Sequence, residues 1–143
     1  MSRNLQSSDW KVMINNSGTP FLTSDNPFCS YFRDEYDPLP ARFVALSPRL
    51  LLFILPTRRE ETLSQQELDL VEFKGDEIGD VNEEFVTKLN EIIVQSAEHV
   101  VLCSANKNWV CNLVKKYKNW KVELNSTAID NYNFFIKRPI NKS

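Results

Sequence analysis

Near the start of this 143-residue chain, an aspartate is followed directly by an asparagine, and both side chains are of types that can take part in catalysis. Asp25 and Asn26 lie in a Thr-Ser-Asp-Asn-Pro stretch that follows a short apolar run. Carboxylates after a strand suit catalysis, because the strand fixes them and the loop leaves them accessible. A second carboxylate would complete a metal site for hydrolysis, and the nearby choices are Asp34, Glu35 and Asp37. One hypothesis is therefore a metal-dependent hydrolase or nuclease acting through Asp25.

The same stretch also has the composition of a turn. Threonine, serine, aspartate and asparagine before a proline hydrogen-bond to their own backbone and tolerate the tight geometry of a strand end. No second catalytic motif accompanies the stretch in the sequence. We therefore favour a structural role for Asp25 and Asn26, and we expect neither a metal nor a cofactor.

His99 is the single histidine of the chain and the third catalytic candidate. It lies where a helical pattern gives way to the apolar run Val100-Val101-Leu102, and a cation suits a helix C-terminus. A general base needs a nucleophile or an orienting acid nearby, and the sequence identifies neither. The structural interpretation is favoured here too, so whether the chain is an enzyme stays open, with a non-catalytic function preferred.

Glycine and cysteine usage excludes several classes of protein. The three glycines cannot form the glycine-rich loops of dinucleotide-binding or P-loop proteins. The three cysteines are odd in number and widely spaced, which argues against a disulfide framework, a zinc site or a dithiol pair. We predict that all three are small core residues: Cys29, Cys103 and Cys111.

Two further sequence patterns bear on where in the cell the protein is found. The longest apolar run, Leu50 to Leu55, is too short to cross a bilayer. The first eight residues lack the apolar core of a signal peptide. We therefore expect a cytoplasmic protein without a membrane partner.

Charge is distributed unevenly along the chain. Residues 60–98 hold twelve acidic side chains against two lysines, a balance of −10, whereas residues 107–143 hold eight basic against two acidic ones, a balance of +6. Fields of opposite sign can steer charged partners, although they can also neutralise each other. We predict a protein-binding or inhibitory module of the toxin-immunity type that covers a basic protein. Its partner-binding residues are Glu60, Glu61, Glu67, Asp69, Glu72, Asp76 and Glu77.

A nucleic-acid-binding function through the C-terminal third is a further alternative. Aromatic residues there alternate with lysines, and rings can stack on bases while ammonium groups hold phosphates. However, helical spacing places Trp109 and Tyr117 on one face, which suits core packing, and the sequence pI of about 5.5 is acidic. Nucleic acid is therefore the less favoured partner. The residues concerned are Trp109, Tyr117, Trp120, Lys107, Lys115, Lys116, Lys118 and Lys121.

The elements that position these residues are typical of a single α+β domain over residues 1–143, with flexible ends at 1–9 and 139–143. We expect a mixed or mostly antiparallel sheet with two main helices packed on it. Residues 10–15 alternate as a strand with Trp10, Val12 and Ile14 on one face, and a hairpin joins them to residues 20–23. The wholly apolar run 50–55 predicts a central strand, with a neighbouring strand at 43–46 and a weak one at 70–73.

The clearest helix spans about residues 81–98. Asp80 has the spacing of its N-cap, and the apolar positions recur at helical spacing. A short buried strand at 100–103 and a second helix capped by Ser104 follow. Strands at 120–124 and 132–136 complete the prediction. The helix face consists of Phe85, Leu89, Ile92, Ile93 and Ala97.

The sequence resembles a bacterial domain-of-unknown-function family, numbered four-two-three-eight. The resemblance covers roughly residues 10–117. It implies a fold relationship and no activity. Longer relatives carry an additional N-terminal region, so the chain is expected either to be a compact member of the family or to match its C-terminal part only. The four features that carry the resemblance are Phe21-Leu22-Thr23-Ser24-Asp25-Asn26-Pro27, the tryptophan-led strand before it, Leu46-Ser47-Pro48, and Leu89-Asn90.

Overall fold

The computed structural model describes residues 8–32, 40–56, 72–73, 78–104, 107–129 and 132–142. They form the predicted α+β fold, in which a mixed sheet is covered by helices. The strands are β1 (Ser8–Asn15), β2 (Thr23–Ser24), β3 (Cys29–Tyr31), β4 (Ala41–Ser47), β5 (Leu50–Pro56), β6 (Glu72–Phe73), β7 (Ile78–Val81), β8 (Val101–Leu102), β9 (Trp120–Ile129) and β10 (Tyr132–Asn141). The helices are α1 (Glu83–Ser96) and α2 (Asn108–Lys116).

The main sheet has six strands in the order β3-β4-β5-β1-β7-β6. β1 runs antiparallel to β5 and parallel to β7, so the sheet is mixed. β5 lies between β4 and β1, which confirms that the apolar run is a central strand. β2 pairs with β8, and β9 pairs with β10, in two separate two-stranded ribbons.

The core lies between one face of the main sheet and α1. Met13, Phe43 and Leu51 are fully buried on the sheet side, and Leu89 is fully buried on the helix. The Phe85 ring of α1 lies 6.2 Å from the Phe53 ring of β5, a distance typical of tilted aromatic pairs. The helix face was therefore predicted correctly in its buried positions, while Ile92 and Ala97 are only half-buried.

The strand predicted at residues 10–15 is present as part of β1, and the face that it buries is the one carrying Met13 and Asn15. Met13 and Asn15 point into the core with at most 1% exposure, whereas Trp10 is 44% exposed on the opposite face. The register aligns Met13 with Leu51, which faces α1, so the alternate positions must face away. Asn15 tolerates burial because its side-chain amide is fully hydrogen-bonded, as described below.

The predicted hairpin between β1 and residues 20–23 is also absent. β1 instead pairs with β5 and β7, and only Thr23 and Ser24 of the following segment are in a strand, β2. The backbone before β2 finds its partners in side chains and in the β4–β5 turn, so it does not need a strand neighbour.

Both predicted helix caps lie at other residues. Asn82 caps α1 by accepting a hydrogen bond from the Phe85 N–H at 2.8 Å, because Asp80 belongs to β7 and pairs with Ile14. Lys107 occupies the N-cap position of α2 and makes no side-chain capping bond there, so Ser104 is not the cap.

The region after α1 is more exposed than predicted. β8 pairs with β2 at the surface, and Val100 and Leu102 are exposed, so the strand is not buried. Cys103 and Cys111 are exposed as well, and only Cys29 is a core residue. β9 and β10 are longer than predicted, with ten residues each.

The ends of the chain and the central acidic stretch are described only in part. Ser8, Asp9 and residues 139–141 lie in strands, while residues 1–7 and 143 lie outside the described residues. Flexibility of the ends stays a prediction. The strand predicted at 43–46 begins two residues earlier, at Ala41 of β4, and residues 70–71 of the weak strand lie outside the described residues. No helix among the described residues is long and apolar enough to cross a bilayer.

Candidate functional site

Residues 19–27, here called the signature segment, are held between the β4–β5 turn and α1. The Phe21 N–H donates to the Pro48 carbonyl at 2.9 Å. On the other side, Asn90 of α1 accepts from the Leu22 N–H and donates to the Pro20 carbonyl, both at 2.9 Å. Asn90 is almost fully buried, so its amide takes the place of a neighbouring strand.

A second buried amide fixes the loop before the signature segment. The Asn15 side chain donates to the carbonyls of Thr19 at 2.7 Å and Pro48 at 3.2 Å. Its oxygen accepts from the N–H and the hydroxyl of Ser17 at 3.0 and 2.6 Å. Four hydrogen bonds from one side chain make the loop between residues 15 and 19 compact and tie it to the β4–β5 turn.

Asn26 connects the far end of the signature segment to the end of α1. Its side-chain amide donates to the Ser96 carbonyl at 3.0 Å, one of the carbonyls that a helix C-terminus leaves without an intrahelical partner. Its backbone N–H donates to the Ser24 hydroxyl, also at 3.0 Å, as expected for a serine in a turn. Asn26, one of the catalytic candidates, is also buried, and its side chain is used to bind the end of α1.

Asp25 accepts backbone hydrogen bonds from the loop that follows α1. One carboxylate oxygen accepts from the Glu98 N–H at 2.9 Å and the other from the His99 N–H at 2.8 Å. Loss of water around the carboxylate acts to raise its pKa, but the backbone amides of Glu98, His99 and Val100 and the nearby imidazole outweigh it, so the pKa of Asp25 is lowered. The carboxylate is thus held in its charged form as a clamp on this loop.

The structure also brings Asp25 and His99 together, which the sequence did not indicate. The imidazole Nδ1 lies 3.5 Å from a carboxylate oxygen, longer than an ordinary hydrogen bond, and the His99 side chain is 83% exposed. At this distance and exposure, Asp25 does not fix the orientation of the imidazole. If the His99 imidazole accepted a proton from a substrate, it would do so at a site open to solvent. Within the described parts of the chain, no group of three or more His, Cys, Asp or Glu side chains could hold a metal ion.

Six of the seven predicted partner-binding residues lie outside the described residues. These six are Glu60, Glu61, Glu67, Asp69, Asp76 and Glu77, and the seventh, Glu72, lies in β6 opposite Asp80 of β7. Several other acidic residues are described and exposed, and those at the start of α1 or just before it are what we call the acidic rim: Asp80, Glu83 and Glu84.

Two residues, Asn16 and the first residue of the signature segment, Thr19, each contact one member of the acidic rim. The Asn16 side chain donates to the Asp80 carboxylate at 3.2 Å, and the Thr19 hydroxyl donates to the Glu83 carboxylate at 2.7 Å. Glu84 follows in the first turn of α1, where negative charge is favourable. The rim therefore lies at the N-terminal end of α1, and two of its three carboxylates accept a hydrogen bond from a neighbouring side chain.

In residues 107–121, the lysine side chains are exposed, whereas aromatic rings pack against the protein. Trp109 and Tyr117 pack against the core, and the Tyr117 ring makes an edge contact with Trp120 at 5.6 Å. The rings are therefore engaged by protein contacts, as core packing requires. The exposed lysines around them are Lys107, Lys115, Lys116, Lys118 and Lys121.

Beside the signature segment lies an open cleft of about 290 Å³ that sequence reasoning missed. Its walls come from the signature segment, the end of β4 with the following turn, and the residues around the end of β8. The sequence carried no signal for it, since its apolar residues read as strand interiors. The lining residues are Phe21, Leu22, Thr23, Ala45, Leu46, Ser47, Pro48, Leu102, Cys103 and Ser104.

Comparison with known proteins gives one family. The family described as "Protein of unknown function (DUF4238)" matches residues 1–107. No curated protein and no solved structure matches the chain. The matched region contains the signature segment, α1 and the cleft, and it ends before α2. Correspondence to the C-terminal part of longer relatives stays a prediction.

Proposed function

The chain belongs to the DUF4238 family, and we propose that it is a non-catalytic module that binds a basic protein through an acidic surface. The observation that carries the proposal is the acidic rim, in which Asp80 and Glu83 are exposed and held in place by Asn16 and Thr19. Side chains that are already ordered lose little conformational freedom when a partner binds. The rim therefore suits recognition of lysine and arginine side chains.

The contacts of the catalytic candidates support the same proposal. Both carboxylate oxygens of Asp25 accept backbone hydrogen bonds, and the Asn26 amide donates to the end of α1. In a metal-dependent hydrolase acting through Asp25, the metal would have to share a carboxylate oxygen with one of these loop amides. We therefore rank this alternative below a binding function.

Charge along the sequence supports a basic partner over other classes. The rim belongs to residues 60–98, which carry a balance of −10. A concentrated negative field accelerates encounters with positive partners and disfavours phosphate-rich ones. An inhibitor that covers a basic toxin is the class of protein that we propose within this function, and a toxin gene beside this reading frame is its expected genetic context.

The rim is tested with two short peptides of opposite charge. Acetylated and amidated Lys-Ser-Phe-Ser-Lys is expected to bind, and the matched Glu-Ser-Phe-Ser-Glu is not. Replacing Asp80 and Glu84 with lysine leaves the Glu83–Thr19 contact in place. This double variant should raise the dissociation constant for the lysine peptide about fivefold or more, since exposed ion pairs contribute up to about 1 kcal/mol each.

The control variant changes the opposite charge on the other helix. Lys115→Glu with Lys116→Glu alters exposed residues of α2 and should leave binding of the lysine peptide unchanged or slightly tighter. A second variant tests the partner-binding residues predicted from the sequence. It replaces four of them with lysine: Glu60, Glu61, Glu67 and Asp69. Equal binding of both peptides to the wild-type protein, or loss of binding only in the α2 variant, would contradict the proposal.

A further inference from the structure

We propose that one wall of the cleft beside the signature segment is movable, and that the Asp25 carboxylate holds this wall closed. The wall is formed by Leu102, Cys103 and Ser104, the last three residues of a surface segment, 98–104, that we call the strap. The walls of the cleft differ in how they are attached to the rest of the molecule. A movable wall would exist whether or not the acidic rim binds a basic protein.

Two walls of the cleft are fixed by buried contacts. Phe21 and Leu22 of the signature segment are at most 2% exposed, and the Leu22 N–H donates to the buried Asn90 side chain. The Phe21 N–H donates to the carbonyl of Pro48, which follows β4. β4 provides the second wall, and it is paired on both sides within the main sheet. Moving either of these walls would therefore open the core.

The strap, in contrast, lies mostly outside the core. Val101 is half-buried and packs against the core, and the other six residues of the strap are exposed. Val100 and Leu102 are 48% and 55% exposed, although both are large apolar residues. Segments with few buried apolar contacts and with hydrogen bonds near solvent open locally, at a lower free energy than global unfolding requires.

Within the described parts of the chain, the backbone hydrogen bonds that attach the strap go to β2 and to Asp25. β2 pairs with β8 over two residues of each strand. The Asp25 N–H donates to the Val100 carbonyl at 3.2 Å. The Asp25 carboxylate accepts from the N–H groups of Glu98 and His99, at 2.9 and 2.8 Å. One residue thus makes three of the contacts that hold the strap.

The charge of Asp25 makes it the strongest of these attachments. Hydrogen bonds to a carboxylate are about twice as strong as those between neutral groups. The pairing of β2 with β8 adds little, because even a complete two-stranded hairpin is only marginally stable in water. The Asn26 amide holds the Ser96 carbonyl, so α1 stays attached when the strap separates. The strap can turn at Ala97, where the backbone is extended and α1 ends.

The cleft therefore has a closed form and an open form. In the closed form it holds about 290 Å³ between its three walls. In the open form the strap leaves the lining, and the backbone groups of Thr23 and Ser24 that pair with β8 become accessible. A group too large for the closed cleft can then reach the two fixed walls.

Amide hydrogen exchange of the wild-type protein, followed by NMR, measures the opening at single residues. The reporters of the strap are the N–H groups of Glu98 and His99, which donate to Asp25. The reporters of the fixed parts are the N–H groups of Leu22 and of Leu89 in α1. After correction for the exchange rates of unfolded peptides, we expect the strap amides to exchange about a hundredfold faster than the fixed ones. Low concentrations of denaturant should leave exchange of the strap unchanged, because its opening exposes little surface.

Two matched variants test the role of the carboxylate. Asp25→Asn keeps the shape of the side chain but removes its charge and one of its two acceptor oxygens. Exchange of the Glu98 and His99 amides should become about tenfold faster or more. Glu98→Gln removes an exposed carboxylate beside the same contacts and leaves both hydrogen bonds in place, so exchange should stay within about twofold of the wild type.

These measurements do not involve the acidic rim, so the movable wall and the proposed function stand or fail separately. Strap amides that exchange as slowly as those of Leu22 and Leu89 overturn the movable wall, since the strap then opens only when the whole protein unfolds. A Leu22 amide that exchanges as fast as the strap also overturns it, because the signature segment would then move as well. Equal exchange rates in the Asp25→Asn and Glu98→Gln proteins contradict the closing role of Asp25. The wild-type comparison decides the first two outcomes even if the Asp25 variant does not fold.

Discussion

The side-chain amide oxygen of Asn90 accepts a hydrogen bond from the backbone N–H of Leu22 at 2.9 Å, across 68 residues of sequence. The same amide donates to the Pro20 carbonyl. One helix residue therefore hydrogen-bonds to a backbone N–H and a backbone carbonyl that would otherwise pair with a neighbouring strand. Three of the features that carry the family resemblance thus meet here, since Pro48 of the β4–β5 turn contacts the neighbouring Phe21 N–H. The residues that carry the family resemblance therefore contact one another in this chain, and they do so by satisfying each other's backbone groups.

Replacing Asn90 with leucine should destabilise the protein by about 2 kcal/mol or more, because the Leu22 N–H and the Pro20 carbonyl lose their partner inside the core. Chemical denaturation monitored by fluorescence measures the change. The control is Asn112→Leu on α2, an exposed position where the change should stay within about 0.5 kcal/mol. Similar values for the two variants would show that the buried amide is dispensable.

Replacing Leu89 with alanine should lower the free energy of unfolding by about 2–5 kcal/mol, since its side chain is fully buried between α1 and the sheet. The matched change at the exposed Leu124 should be nearly silent. A loss near zero at Leu89 would mean that α1 presents another face to the core.

Replacing Asp25 with asparagine should reduce stability in a pH-dependent manner. The folded-state pKa of Asp25 is lowered, so the carboxylate stabilises the fold above its unfolded pKa of about 4, and this contribution is lost as the pH falls through the lower, folded value. The difference in melting temperature between wild type and variant should therefore be largest near neutral pH and shrink toward pH 3.

The control for this experiment is Asp80→Asn, an exposed carboxylate that receives one side-chain hydrogen bond. Its difference from the wild type should be smaller at neutral pH. An Asp25→Asn protein that melts like the wild type at every pH but loses a metal-dependent hydrolytic activity would restore the hydrolase hypothesis to first place.

Thiol chemistry distinguishes the three cysteines. Cys103 and Cys111 are exposed and should react with a thiol reagent in the native protein, whereas the buried Cys29 should react only after unfolding. Native titration is expected to give two thiols and denatured titration three. Rapid reaction of Cys29 would show that its site on β3 is accessible. The Cys29→Ser variant identifies the slow thiol directly.

Strong local patterns were sufficient to predict part of the fold. The wholly apolar run 50–55 indicated a central strand, and regular helical spacing indicated α1, both of which the structure confirms. The face of β1 was not readable, because Val12, Met13 and Ile14 are all apolar and alternation cannot choose between them. The buried Asn15 made the choice harder, since an asparagine in a strand is more often exposed than buried.

The candidate site depends on contacts that no local pattern records. Asp25 and His99 are 74 residues apart, and they meet because β2 pairs with β8 over only two residues from each strand. A two-residue pairing has too little periodicity to be recognised in sequence. The cleft arises from the same pairing, so it was equally hidden.

Loops usually accept inserted residues, because their backbone is free to adjust. The segment between β1 and β2 has no regular secondary structure over most of its length, yet the spacing between Thr19 and Leu22 is fixed at both ends by Asn15 and Asn90. A single added residue here would move the Leu22 N–H away from its acceptor and shift every later contact by one position. In evolution this stretch should therefore change its residues more readily than its length, as a strand within a sheet does.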